Sequence, residues 1–227
     1  MAKKIKSKKK EEQIQENVGN IISSSEVFIE KNQKKILIGI GIVVLLVLAI
    51  MAFRNFYQQP REIAAENAMY KAQEYFAADS FKVALEGDGA NVMGFKEIAS
   101  QYGMTRSGKL ASAYTGICYY KLGKYQDAIK FLSQYDGTDN YFKTSVIGLI
   151  GDSYVELDNA DKAQNFYKKA IAEKNELAPI YLKKSGILYE TKGNNTEAEK
   201  MYTQIKDEYP NSNEAYDIDK YIARVQE

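Results

Sequence analysis

The chain has 227 residues, 31 Lys and Arg against 30 Asp and Glu, no His and one Cys. The absence of His excludes imidazole acid–base chemistry, Ser-His-Asp and Cys-His nucleophile pairs and His-containing zinc sites. One thiol, Cys118, makes neither an internal disulfide nor a Cys-rich metal centre, and inside an apolar helical segment it reads as a small buried hydrophobe. The near-zero net charge hides an uneven distribution. Residues 1–35 hold nine Lys and five Glu, whereas residues 54–227 hold 22 basic and 25 acidic groups. A mildly acidic main body lacks the basic face of a nucleic-acid binder.

Residues 1–33 read as a Lys-rich tail. Lys3, Lys4, Lys6, Lys8, Lys9 and Lys10 form a basic block, a topology signal or a contact for anionic lipid or RNA. Ile14, Val18, Ile21, Ile22, Val27, Phe28 and Ile29 suggest a short amphipathic helix, interrupted by Ser23, Ser24 and Ser25.

Residues 34–56 read as a transmembrane helix. Within them, residues 36–53 are uncharged and almost wholly apolar. At about 1.5 Å per residue this stretch spans about 27 Å, close to a hydrocarbon core of about 30 Å. Lys34 and Lys35 close one end and Arg54 the other, with Phe53, Phe56 and Tyr57 where an interfacial aromatic belt belongs. A cleaved signal peptide fits poorly, because the apolar run is too long and no small-x-small site follows. Nine Lys precede the span, whereas Arg54, Arg61 and Lys71 follow it within about 20 residues. That bias predicts a cytoplasmic N-terminus, with residues 54–227 on the outer side.

Residues 61–105 read as a degenerate first helix pair, 61–79 and 91–102, with Ala64, Ala68, Ala72 and Phe76 at helical spacing in the first. A Gly/Asp turn region, Gly87 to Gly89, separates them. Over residues 107–210 one pattern recurs three times with a period of 35. Gly116, Gly151 and Gly186 align, as do Tyr119, Tyr154 and Tyr189, then Ala128, Ala163 and Ala198, then Leu132, Tyr167 and Tyr202. A period in this range signals a stacked array of helix pairs. Gly and Tyr three apart share a face of a first helix, where the glycine admits a neighbouring helix and the Tyr ring is expected beside it. The Ala falls on the second helix, at another close crossing. Gly123 and Gly193 end first helices, and Asp158 takes that place in the middle copy. Helices are expected over 107–122, 124–135, 141–157, 159–173, 178–192 and 195–208, with Pro179 in a first turn. Residues 211–227 read as the capping helix such an array requires.

At residues 116–132 (GICYYKLGKYQDAIKFL), 151–170 and 186–202 the chain resembles the tetratricopeptide-repeat (TPR) family. The resemblance implies an all-α helical-repeat solenoid, here tethered to one N-terminal transmembrane helix, that binds proteins in a concave groove lined by first helices. The groove positions it implies are Leu110, Ala113, Ile117, Tyr120 and Lys121 in the first copy. The second copy gives Ser145, Gly148, Asp152, Val155 and Glu156, and the third gives Ile180, Lys183, Ile187 and Glu190. Members that clamp a carboxylate terminus carry Lys and Asn where this sequence has Ala113 and Ile117, so that clamp is missing. The groove mixes apolar and acidic groups, which suits an extended or helical protein segment.

No Walker motif is present, and Gly39-Ile40-Gly41 lies inside the apolar run, so it is no dinucleotide loop. Asp127, Asp152, Glu156 and Asp161 are expected on solvated faces or at caps. No cofactor, metal, catalytic residue or small-molecule substrate is expected. The whole plan is similar to YfgM-like ancillary subunits of the SecYEG translocon, through architecture and residues 27–41. That resemblance implies a bacterial inner-membrane adaptor with a periplasmic repeat domain. Its partners would be the translocon, periplasmic chaperones or newly exported chains. A scaffold for cell-wall synthesis, division or outer-membrane assembly is the alternative.

Overall fold

The computed structural model describes residues 31–226; the basic block and the amphipathic stretch expected before residue 30 lie outside the described residues. The described residues form helices and turns with no strand, and they divide into two compact units between Tyr57 and Gln58.

In the first unit, α1 covers residues 31–53 and a π-helical turn follows at Arg54–Gln58. The apolar window has a mean hydropathy of 3.2 and no part of it is buried. The helix is long and apolar enough to cross a membrane. Phe53, the last residue of α1, stacks on Tyr57 with ring centroids 5.1 Å apart, and Phe56 is exposed.

The second unit holds α2 (Gln59–Ala77), α3 (Phe81–Glu86), α4 (Phe95–Tyr102), α5 (Arg106–Lys121), α6 (Tyr125–Leu132), α7 (Asn140–Glu156), α8 (Ala160–Ala172), α9 (Ala178–Thr191) and α10 (Asn195–Glu208). A 3-10 turn at Asn213–Asp217 leads into α11 (Ile218–Gln226). Consecutive helices pack pairwise, α5 on α6, α7 on α8 and α9 on α10, and each pair packs on the next. This makes a helical-repeat array.

Local chemistry sets the helix ends. The Thr105 hydroxyl accepts from Gly108 N–H at 2.9 Å, and the Asp139 and Asn159 side chains accept from Phe142 and Lys162 N–H at 2.7 and 3.2 Å. These contacts satisfy donors that the first helical turn leaves open. Gly123 and Gly193, both with φ of 72°, and Asp158, with φ of 54°, turn the chain between the two helices of each pair. Glycine enters that left-handed region freely and Asp at some cost.

The framework positions are where the helices touch. A β-carbon on Gly116 would lie 2.5 Å from Leu132 Cγ; on Gly151 and Gly186 it would lie 2.7 and 2.3 Å from ring carbons of Tyr167 and Tyr202. The group filling the space at each glycine is therefore the large residue of the second helix. The tyrosines three residues after the glycines, expected in that role, do something else. Tyr119 and Tyr154 stack on Phe131 and Phe166. Ala128, Ala163 and Ala198 are fully buried at the crossings.

The region before the repeats differs from its expected form. Three helices occupy it, α3 being the addition. On α2 the buried stripe is Ala65, Met69 and Ala72, while Ala64 is exposed. Because α2 packs against α3, α4 and α5 together, Ala65 takes the inward place expected of Ala64, while Ala68, Ala72 and Phe76 pack against the core. Phe76 makes edge contacts with Phe81, Phe95 and Tyr114. The Glu62 carboxylate accepts from the N–H groups of Arg106 and Ser107 at 2.7 and 2.9 Å and from the Ser107 hydroxyl at 2.7 Å. Burial pushes its pKa up, but the bonds from Ser107 and Arg106 outweigh this and hold it below the usual carboxylate range. A carboxylate at the N-terminus of α5 also meets the positive end of that helix.

Candidate partner-binding groove

A cavity of about 350 Å³ opens where α5, α7 and α9 come together. Tyr120 comes from α5 and Asp152, Val155 and Glu156 from α7. Tyr167 reaches in from α8, while α9 supplies Lys184, Ile187, Leu188 and Thr191. Val155 is 37% exposed and Ile187 39%. They are two of several large apolar side chains that the array leaves in contact with water, Met104 and Tyr216 being more exposed; Val155 and Ile187 both line the cavity.

The floor is a polar network around Asp152. Its carboxylate accepts from the Tyr167 hydroxyl at 2.7 Å and from Lys184 Nζ at 2.6 and 2.8 Å. Burial pushes the Tyr167 phenol well above its ordinary pKa, and the charge of Asp152 adds to this. Tyr181 is pushed up to about 12 by burial and then by Asp152. Tyr120 is raised by burial and then by Asp152 and Glu156. All three phenols stay protonated as hydrogen-bond donors. Among the described residues no buried side-chain nitrogen or oxygen lacks a partner. The floor is thus a satisfied structural network beneath the apolar side chains of Val155, Ile187 and Leu188, and the Glu156 carboxylate accepts from the Tyr125 hydroxyl.

Five of the expected groove residues meet here: Tyr120, Asp152, Val155, Glu156 and Ile187. Asp152, expected on a solvated face, is instead the half-buried hub. Other groove positions lie elsewhere. Ala113 is fully buried. Gly148 is closed off by Tyr181, whose ring carbon would lie 1.9 Å from an added β-carbon. Leu110 and Ile117 are half-buried against the main core, and Ile180 packs beside Tyr167 and Tyr181. Ser145 donates to the Tyr141 carbonyl at 3.0 Å. Lys121 is exposed, its Nζ 5.9 Å from the Phe81 ring centroid.

Two further positions are covered from the C-terminal side. Lys183 pairs with Asp217 at 2.6 Å and lies over the Tyr221 ring. Glu190 accepts from the Tyr202 hydroxyl at 2.9 Å and pairs with Arg224 at 2.6 Å. The C-terminal elements therefore occupy that end of the first-helix face. Asp161 is exposed and bridges to Lys192 of the next pair at 2.6 Å. Asp127 lies in the first turn of α6, where a carboxylate suits the helix N-terminus. Cys118 is fully buried, and burial pushes its thiol up to about 12, which leaves it unreactive at neutral pH.

Tyr167, Lys184, Leu188 and Thr191 complete the cavity without having been expected there. Tyr167 was visible only as a repeat position. Lys184 finds its partner Asp152 on the preceding pair, a meeting that exists only once the pairs stack.

Tetratricopeptide-repeat profiles match residues 114–135 and 182–212, and a second profile of the same repeat matches residues 144–176. No curated protein matches the sequence. Among solved structures, the chain is similar to a crystal structure of nearly identical TPR-like repeats from a Podosopora anserina protein described as a kinesin light chain. The TM-score is 0.53 and the identity 12%, over 70% of this chain and 84% of that one. The fold is therefore a TPR-like helical-repeat array, a module of a kind that typically binds proteins and carries no catalytic site.

Proposed function

We propose that this chain is a membrane-anchored protein-binding adaptor that holds a partner segment in the cavity between α5, α7 and α9. The observation that carries the reading is the pairing of exposed Val155 and Ile187 with a rigid, fully satisfied Asp152 floor. Such a site gives an incoming apolar side chain a preformed place, so that little ordering cost opposes binding. Glu156 at the rim favours a donor or a cation beside that side chain.

The helix at residues 31–53 supports anchoring. The Lys excess before it supports a cytoplasmic N-terminus with the array on the outer face of a bacterial inner membrane. In that setting the partners are the Sec translocon, periplasmic chaperones or newly exported chains. A scaffold of an envelope machine uses the same site for a different partner. Co-purification after mild solubilisation separates the two: translocon subunits for the first, wall or outer-membrane components for the second. Val155→Glu with Ile187→Glu should remove the co-purifying protein. Both residues are partly exposed, so the melting temperature should change little. Unchanged co-purification from that variant would refute the site.

A further inference from the structure

The ring stack Tyr119–Phe131 in the first copy returns 35 residues later as Tyr154–Phe166, with centroids 5.4 and 5.5 Å apart and interplanar angles of 29° and 26°. Each stack carries two lysines. Lys124 Nζ lies 5.9 Å from the Tyr119 centroid and Lys130 Nζ 5.7 Å from that of Phe131. Lys162 lies 5.2 Å from Tyr154 and Lys169 4.7 Å from Phe166. All four rings belong to, or pack against, one core cluster. All four lysines are exposed.

Among the described residues none of these four lysines is in an ion pair, and neither are the exposed Lys168 on α8 and Lys174 just after it. Nearby carboxylates are mostly taken: Asp161 by Lys192, Glu173 by Lys143 and Asp136 by Lys109. Asp127 on α6, Asp158 in the turn before α8 and the exposed Glu176 after it remain against six lysines. The third copy departs from this pattern. Met201 stands where Phe131 and Phe166 stand, and α10 carries Glu197, Glu199, Asp207 and Glu208 against Lys200 and Lys206. The repeat framework therefore does not require the lysine-covered stacks.

We propose that the outer face formed by α6 and α8 docks on anionic phospholipid headgroups. The exposed ammonium groups lie over the rings and together form a positive surface that attracts negative charge. Anionic lipid is the occupant favoured by the chain itself, because a tether at residues 34–56 holds the array at high effective concentration beside a bilayer surface. The proposal rests on the membrane-anchor reading.

The test uses the full chain reconstituted into nanodiscs of phosphatidylcholine, or of an equal mixture of phosphatidylcholine and phosphatidylglycerol, with amine-labelling rates read residue by residue by mass spectrometry. Lys130, Lys162, Lys168 and Lys169 should label at least about threefold more slowly in the anionic discs. Lys82 and Lys96, away from this face, should keep their rates. The protection should vanish near 0.5 M salt, where the screening length is only about 4 Å. Lys130→Glu with Lys169→Glu should release Lys162 and Lys168. Equal rates in both discs, or protection that survives that double variant, would overturn the proposal while leaving the anchor intact. A chain that never incorporates into discs overturns both readings.

Discussion

The first repeat copy and the two that follow share one framework but fill it with different chemistry. Under Gly116 the first copy places Leu132, which packs and does nothing more. Under Gly151 and Gly186 the later copies place Tyr167 and Tyr202. These rings fill the same space, and their hydroxyls reach on to a carboxylate of the first helix, Asp152 or Glu190. A cation from the next element then clamps that carboxylate: Lys184 from α9 or Arg224 from α11. The difference teaches that the period reports the fold, whereas departures from it report what each copy does. In the middle copy the clamp floors an open cavity. In the last copy it fastens the C-terminal helix.

The largest way to break that comparison is Tyr202→Ala. Tyr202 is fully buried, and losing its ring should cost about 4 kcal/mol by urea unfolding. Tyr202→Phe keeps the ring, loses the hydroxyl's bonds to Glu190 and Arg224 and should cost about 1–2 kcal/mol. Equal losses would mean that the ring does not support the crossing.

Gly186→Ala comes next. Its β-carbon would sit 2.3 Å from the Tyr202 ring, and a cost of about 2 kcal/mol is expected from forcing that ring aside. Gly123→Ala meets no atom within 4 Å and pays only for its φ of 72°, about 1 kcal/mol. A reversed order in thermal melts would contradict the close crossing.

A smaller effect appears in acid. The hydrogen bond from Arg224, assisted by Tyr202 and opposed by partial burial, holds the Glu190 carboxyl below the usual range. A depressed folded value means that the stabilisation is complete above the unfolded pKa of about 4.3 and fades as pH falls through the folded value. Glu190→Gln should flatten the decline in stability below pH about 5; an unchanged slope would show that the clamp on α11 contributes nothing. Smallest is Asp158→Gly. Relieving the left-handed Asp of the middle copy should raise stability by about 0.5 kcal/mol, where a loss would mean that its side chain has a structural role.

The array was legible because glycine, tyrosine and alanine recur at positions where helices must approach, and small residues at fixed spacing survive single-sequence reading. Helix ends were legible where Gly123, Asp158 and Gly193 mark them. Helix α3 was not, because six residues give less than two turns of periodicity. The inward placement of Ala65 rather than Ala64 follows from three neighbouring helices at once, which no local spacing encodes. At the cavity, Tyr120, Asp152, Val155, Glu156 and Ile187 are positions that the resemblance to the repeat family implied. Ala113 and Gly148, implied with them, lie elsewhere, since the packing face is wide enough to bury that position in two copies. Lys184 and Leu188 depend on how far α9 slides along α7, a register that sequence leaves open.

The most direct test is photo-crosslinking in cells, with the reactive residue placed at Ile187 in the cavity or at Gln204 on the outer side of α10. A discrete adduct from position 187, absent from position 204 and lost when Val155→Glu is added, is the predicted result. An adduct from 204 alone, or one from 187 that ignores Val155→Glu, would contradict the groove as the binding surface.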